Sequence, residues 1–298
     1  MAISKNNNLL NRMAISALWR TASLWPDLVY LRLMYRLKFG RSLNVKNPKT
    51  YTEKINWLKI FDKHPEYTNL VDKYKAKEFV RNRLGTDKYL IPTLGVWQSF
   101  DDINFDLLPK QFVLKTTNGG GNTSVVICKD KSNFNKQLAR DVLKSKDSKK
   151  LYQKSREYCY YEVKPRIIAE EYIKATNDEL SDYKFFCFDG EPKFLFIGSE
   201  RQKKGEDVKF DFFDIDFNFL PIKNGHDNAL IRPIKPINYD KMLEIASTLS
   251  KGFKHVRVDL YNVGGKIYFG ELTFFHHGGI VPFEPDEWDY KFGEYLKL

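Results

Sequence analysis

The chain has 298 residues, 42% apolar and 15% aromatic, which is enough for one or two packed domains and argues against wholesale disorder. Three scattered cysteines exclude a disulfide scaffold and a CxxC zinc site, and 17 Gly with 12 Pro exclude a low-complexity chain. The formal net charge of +11 sits wholly in residues 1–90, with 18 Lys/Arg against 7 Asp/Glu; residues 91–298 hold 31 of each.

A basic segment on a neutral body points to a polyanion or an anionic membrane surface near that segment, and away from a body built to grip nucleic acid. No run of about 18 uncharged apolar residues is available to span a bilayer. Arg12, Arg20, Arg32 and Arg36 interrupt the N-terminus, so a secretory leader is not expected. The odd, scattered cysteines fit a reducing compartment, and a cytoplasmic location is the expectation.

In chain order, Leu9, Leu10, Met13, Ala14, Ala17 and Leu18 form a helical stripe over residues 7–20, readable as a packed helix or as one lying on a membrane. A second helix follows Trp25-Pro26-Asp27. Thr50-Tyr51-Thr52-Glu53 matches a capping box, with Ile55, Leu58 and Phe61 continuing the helix behind it. A further helix is expected from Thr68 to Leu84, stopped by Gly85. After Pro92 the pattern turns to strands: Gln111–Thr116, Thr123–Cys128 and Arg166–Ile173, with a helix near Asn133–Leu143. Asp182–Phe188 and Lys193–Gly198 meet at Asp189-Gly190, a strong hairpin signal. Val208–Phe213 reads as a strand and Asn238–Gly252 as a helix. Arg257–Tyr261 and Lys266–Thr273 read as a last hairpin across Asn262–Gly265. Helices first, then strands with few helices, predict a mostly antiparallel α+β fold.

Three segments carry chemistry. In Phe112–Ser124 a strand ends in Lys115, and Gly119, Gly120 and Gly121 then allow backbone N–H groups to approach phosphate oxygens closely. It is not a Walker loop, because no Gly-Lys-Ser/Thr closes it. In Arg257-Val258-Asp259 the period of two puts Arg257 and Asp259 on one strand face, and Glu271 and Thr273 alternate likewise on the next strand. Asp259 and Glu271 can therefore lie side by side, a hard-oxygen pair suited to Mg2+, the alternative being an exposed charged face. Ile167–Ile173 followed by Asp182 and Lys184 is a strand ending in acids, a weak signal for a nucleotide hinge. His276 and His277 are adjacent, so a regular strand would point them to opposite faces. His64, His226 and His255 give no signal.

Taken in order, these segments resemble the ATP-grasp superfamily. More closely they resemble its TupA-like family, found among polysaccharide and teichuronopeptide biosynthesis proteins. The resemblance rests on Asn47–Lys59, Asp72-Lys73-Tyr74, Ile91–Val96 and Phe269–Phe274, and covers about residues 30–298. It implies a lid subdomain over 67–174 and a metal-binding subdomain over 175–298, whereas the superfamily's usual N-terminal α/β substrate domain is replaced by a helical basic region over 1–66. It also implies ATP and Mg2+ as cofactors and a carboxylate–amine ligase working through an acyl phosphate. In its terms Lys115 binds α/β-phosphates, Gly119, Gly120 and Gly121 form the phosphate lid, and Glu170 holds the adenine side. Ile173 supplies the backbone hinge, Asp182 reaches the ribose, Lys184 meets the γ-phosphate, and Lys73 is a further phosphate-side cation. Arg257 stabilises the transferring phosphoryl group, and Asp259, Glu271 and Thr273 hold the metal. Thr273 stands where the superfamily usually has Asn, a weaker third ligand.

The expected partners are small-molecule carboxylate and amine substrates, one of them a lipid-linked or anionic glycan of a capsule, O-antigen or teichuronopeptide pathway. Peripheral membrane contact is expected through residues 1–40. The rival readings are a polysaccharide-pathway glycosyltransferase, with Asp214-Ile215-Asp216 as its acid pair or simply a turn, and a non-catalytic polyanion-binding module.

Overall fold

A computed structural model describes residues 9–118, 124–144, 148–174, 180–199 and 208–298. Helices α1 (Leu9–Arg20) and α2 (Asp27–Phe39) pair through Ile15, Leu18, Tyr30, Met34 and Tyr35, with Leu43, Val45 and Ile280 completing a small apolar cluster. Helix α3 (Tyr51–Phe61) begins at the expected capping box. The Thr50 hydroxyl accepts from the Glu53 N–H, and the Glu53 carboxylate accepts from the Thr50 N–H. Helix α9 (Glu287–Tyr295) lies against this start. Asp289 accepts from both the N–H and the hydroxyl of Thr52. Gly293 has no side chain because an added Cβ would fall 2.2 Å from the Lys49 carbonyl oxygen.

The helix expected over Thr68–Leu84 is two pieces, α4 (Tyr67–Leu70) and α5 (Ala76–Leu84), ended at Gly85 as anticipated. The break has a local cause. The Asp72 carboxylate accepts from the N–H groups of Tyr74 and Lys75, an Asx turn that competes with helix continuation, and it is held by Arg166 at 3.0 Å. The Lys73 N–H then bonds the Thr117 carbonyl, placing Lys73 at the end of β2 (Phe112–Thr116).

Strands β1 (Thr93–Trp97), β2, β3 (Val125–Cys128) and β4 (Ile167–Glu171) form a four-stranded sheet in the order β1-β4-β2-β3. Helix α6 (Lys136–Leu143) covers it through Leu143, and α7 (Ser148–Ser155) follows. Strands β5 (Asp182–Phe188), β6 (Glu191–Ser199), β7 (Lys209–Asp214), β8 (Phe219–Leu220), β9 (His255–Val263) and β10 (Lys266–Thr273) form a six-stranded sheet in the order β10-β9-β5-β6-β7-β8. Every named ladder is antiparallel, as the element order predicted. The β5–β6 turn is at Asp189-Gly190, both at positive φ. Helix α8 (Tyr239–Ser250) packs through Met242, Ile245, Ala246 and Leu249 into the main core beneath β5, β6 and β9. That core also takes in Tyr51, Ile55 and Leu58 of α3 and Val80 of α5. Short β1, β8, α7 and α9 were not anticipated. Asp214 and Asp216 form the β7–β8 turn, in which the Asp214 carboxylate accepts from the N–H groups of Asp216 and Asn218.

Candidate active site

Residues on a face of each sheet line one cavity of about 540 Å3, among them Lys73 from the helix break, Lys115, Asp182, Lys184, Arg257, Glu271 and Thr273. On the four-stranded sheet, alternation along β2 turns Leu114 into the core and Lys115 toward the cavity. The Lys115 ammonium lies 2.7 Å from Glu170 Oε2, and Lys77 of α5 lies 2.5 Å from Glu170 Oε1. Burial alone would raise the Glu170 pKa, but the two ammonium groups outweigh it and hold the carboxyl below its ordinary range. Gly119, Gly120 and Gly121 lie outside the described residues. Ile173 lines a separate cavity of about 370 Å3 with Tyr172, Gly264 and Tyr268.

On the six-stranded sheet the register sets Asp259 opposite Glu271 and Arg257 opposite Thr273, so the expected juxtaposition of the two acids is present. Arg257 makes two hydrogen bonds to Asp259, of 2.7 and 2.8 Å, one of 3.0 Å to the Thr273 hydroxyl, and a contact of 3.4 Å to Glu271. Lys184, opposite Asp259 on β5, bonds both Asp259 and Asp182, the latter at 2.8 Å. Lys73 reaches across from the helix break to Glu271 at 3.3 Å. Burial would raise the Glu271 pKa, but Lys73, Lys184 and Arg257 hold it far below the usual carboxylate range.

His276 explains how Arg257 is aimed. Its Nδ1 accepts from the Arg257 guanidinium at 2.7 Å, and its Nε2–H donates to Asn224 Oδ1 at 2.8 Å. The Asn224 amide donates to the carbonyls of Val281 and Pro282, which leaves Oδ1 as the acceptor and fixes the neutral imidazole tautomer. Burial, with His277 and Arg257 nearby, drives the His276 pKa well down. The two histidines lie in a 3-10 turn, His276–Gly279, not in a strand, and His277 is at φ +48°.

The same cavity runs on past Arg257 to Lys154, Ser155, Glu157, His226 and His277. These residues also line an adjoining cavity of about 360 Å3 that is closed by Ile280 and Val281. Arg156 adopts a left-handed backbone (φ +58°) and is anchored by bonds to the Ala22 and Trp25 carbonyls, which delivers Glu157 to the cavity wall. Burial raises the Glu157 pKa, and buried Lys59 opposes the rise. Lys59 donates to the carbonyls of Ser155 and Gly278. Sequence reading missed Lys77, Glu157, His226 and the orienting pair His276–Asn224. Each belongs to a segment without a motif of its own, and the contact that gives it a role is long-range.

For Mg2+ the donor set is suitable in kind: Asp259 and Glu271 present hard oxygens in register, with the Thr273 hydroxyl beside them. Among the described residues no group of three or more His, Cys, Asp or Glu is preformed around a metal position. Both carboxylates are instead bonded by Arg257, Lys184 and Lys73.

Two facing antiparallel sheets gripping a cation-lined cleft define the ATP-grasp class of fold. The TupA-like ATP-grasp family model matches residues 53–297, and the chain belongs to that family. Similar solved structures include the D-alanine–D-alanine ligase of Bacillus anthracis complexed with ATP. It is 17% identical, with 69% of this chain and 54% of the ligase covered and a TM-score of 0.38. Others are the ATP-grasp ligase PsnB complexed with a phosphomimetic variant of its minimal precursor, Mg and ADP (10%, 78% and 59%, 0.43) and the ADP complex of N5-carboxyaminoimidazole ribonucleotide synthetase (14%, 82% and 56%, 0.44). The chain spans little more than half the length of these structures. No curated relative matches the sequence.

Proposed function

We propose that the protein is an ATP-dependent carboxylate–amine ligase that forms an amide through an acyl phosphate, with ATP and Mg2+ as cofactors. The observation that carries this reading is the convergence of Lys115, Lys184, Arg257 and Lys73 on one cavity beside the in-register acids Asp259 and Glu271. As functional units we take residues 1–66 as a basic helical region, 67–174 as the lid and 175–298 as the metal-binding part. ATP would supply the phosphoryl group, and Asp259, Glu271 and Thr273 would hold the Mg2+ that offsets its charge. Lys115 and Lys73 hold phosphate oxygens, with Glu170 on the base side and Asp182 toward the ribose, while Ile173, the expected hinge, lines a separate cavity. The family resemblance assigns Gly119, Gly120 and Gly121, which lie outside the described residues, to the phosphates. Lys184 and Arg257 neutralise the transferring group, Arg257 being held in aim by His276. A substrate carboxylate oxygen would attack the γ-phosphorus as the bond to ADP breaks and ADP leaves, and the resulting acyl phosphate would present its carbonyl to an amine in the adjoining cavity. The amine nitrogen attacks, the bond to phosphate breaks, and Glu157 takes the ammonium proton.

The assignment to surface-polysaccharide synthesis, at the inner face of the cytoplasmic membrane, rests on the motif resemblance and on the +11 charge of residues 1–90. In support of membrane contact through residues 1–40, α1 turns Leu9, Leu10 and Met13 to solvent, while only its Ile15 and Leu18 are buried. Among the described residues no helix is long and apolar enough to cross a membrane.

The test is a thermal shift with Mg-ATP. Linkage stabilises the fold by about 2.7 kcal/mol at a hundred times Kd. Folded protein that gives no shift sinks the nucleotide reading. A screen of carboxylates and amines followed by ADP release then identifies the substrates, and Glu271→Gln should lower kcat more than it raises KM.

A further inference from the structure

The segment from Leu230 to Ile237, Leu-Ile-Arg-Pro-Ile-Lys-Pro-Ile, has neither helix nor strand, yet both its ends are fastened. At the start the Asn228 amide donates to the carbonyls of Phe210 and Ile222, and the Ala229 N–H donates to Asp211. At the end Asn238 bonds the Gly265 carbonyl and Asn262, both at the β9–β10 hairpin. Between these anchors Leu230, Ile231, Ile234 and Ile237 stand 85% to 107% exposed. The cations fold the other way. Arg232 lies over the Phe219 ring at 3.8 Å and Lys235 over the Tyr239 ring at 4.8 Å. The result is a fixed ridge with four aliphatic tips and cations at its base.

Four neighbouring, exposed aliphatic side chains need a cover, and none of the described residues supplies one. The segments outside the described residues are 1–8, 119–123, 145–147, 175–179 and 200–207. After Ile3 they contain Ala, Gly and polar or charged residues only. Side chains exposed to this degree project from the surface instead of lining a groove. Aliphatic tips above a row of cations match instead the depth profile of a bilayer with anionic headgroups. The excess charge of residues 1–90 has the complementary sign.

We propose that Leu230–Ile237 inserts into an anionic bilayer and sets the substrate cavity at the membrane surface, so that one substrate is an amphiphile carried in that bilayer. The link to the cavity is short: His226, four residues before the ridge, lines both the main and the adjoining cavity. The substrate class rests on the ligase reading; the insertion itself does not.

The experiment uses the full chain and vesicles of 70% phosphatidylcholine and 30% phosphatidylglycerol. All three native cysteines are buried, so Ile234→Cys and, as a control, Asp87→Cys can each be labelled with an environment-sensitive nitrobenzoxadiazole. The 234 label should brighten severalfold on adding vesicles and be quenched by lipid carrying a doxyl group in the acyl chain, while the 87 label should not change. The Leu230→Ser/Ile231→Ser/Ile234→Ser/Ile237→Ser variant should partition about tenfold or more weakly in co-sedimentation, with its Mg-ATP thermal shift unaltered. A 234 label that stays in water while the protein sediments means that residues 1–40 alone bind, and overturns the proposal. So does a label that brightens with protein concentration without vesicles, which makes a second copy the occupant. Equal binding to pure phosphatidylcholine overturns the anionic preference. Because the nucleotide shift does not involve the ridge, failure of insertion and failure of the ligase reading are told apart.

Discussion

In the four-stranded sheet one buried carboxylate, Glu170, is shared by two lysines, Lys115 and Lys77. On the six-stranded sheet three carboxylates, Asp182, Asp259 and Glu271, are matched by Lys184, Arg257 and Lys73. The first cluster carries an excess positive charge and can receive a polyphosphate without giving up a partner. The second is balanced, so bringing in phosphate and a metal means exchanging partners: the cations turn to phosphate as the acids turn to metal. The four-stranded sheet thus holds one cation in excess, and the larger sheet a charge-balanced cluster.

The largest effect should come from breaking the balance. Arg257→Ala leaves three acids with two lysines around the buried Asp259, an uncompensated charge that costs about 3–5 kcal/mol. Urea unfolding should show that loss, and ligation should fall at least 10³-fold, on the order expected for removing a charge that stabilises the transition state. A variant as stable as the parent would mean that the balance is not structural.

An intermediate effect should follow from acid. His255 is buried, its Nδ1–H donating to the Cys187 carbonyl and its Nε2 accepting from the Tyr51 hydroxyl. Burial pushes its pKa down to about 3 from 6.5, with Arg257 adding to the fall against the bond to Cys187. The unfolded chain therefore binds a proton between these values that the folded chain refuses. Stability is full above pH 6.5 and is lost as pH falls, by about 1.4 kcal/mol per pH unit for this group. Residues 93–171 contain no histidine, so hydrogen exchange at pH 5 should speed first in β5 and β9 and leave β2 and β4 protected. Loss of protection in the four-stranded sheet first would contradict this. So would a His255→Phe variant whose stability keeps the same slope with pH.

The smallest cost in stability should come from Lys115→Ala, because Lys77 still holds Glu170. We expect a change below about 1 kcal/mol in urea, yet about tenfold to hundredfold weaker Mg-ATP binding by calorimetry. If binding is unchanged, the excess cation of the lid does not serve phosphate. Lys77→Ala sharpens the point. It should cost more stability than Lys115→Ala, since Lys77 is the more deeply buried of the two and also donates to the Ile91 carbonyl.

The sequence by itself determined the elements whose causes are local. Asp259 meets Glu271 only because the β9–β10 register shifts between Phe269 and Glu271, which alternation alone does not predict, but the capping box at Thr50, the stop at Gly85 and the hairpin at Asp189-Gly190 follow from side chains within a few residues. Lys115 and Arg257 were legible for the same reason, each on the outward face of a strand whose other face is apolar. The helix over 68–84 read as continuous because its periodicity is unbroken. Only the fold brings Arg166 and the Thr117 carbonyl to Asp72-Lys73 and makes the Asx turn win. Glu157, His226 and the His276–Asn224 pair were hidden because they meet residues far away in the chain, 19 and 52 positions off for the two bonds of His276, which no local pattern records. Which apolar residues stay in water was likewise a tertiary decision. The stripe of α1 and the ridge at 230–237 carry the same aliphatic residues as the core, and only the packing of everything else left them uncovered.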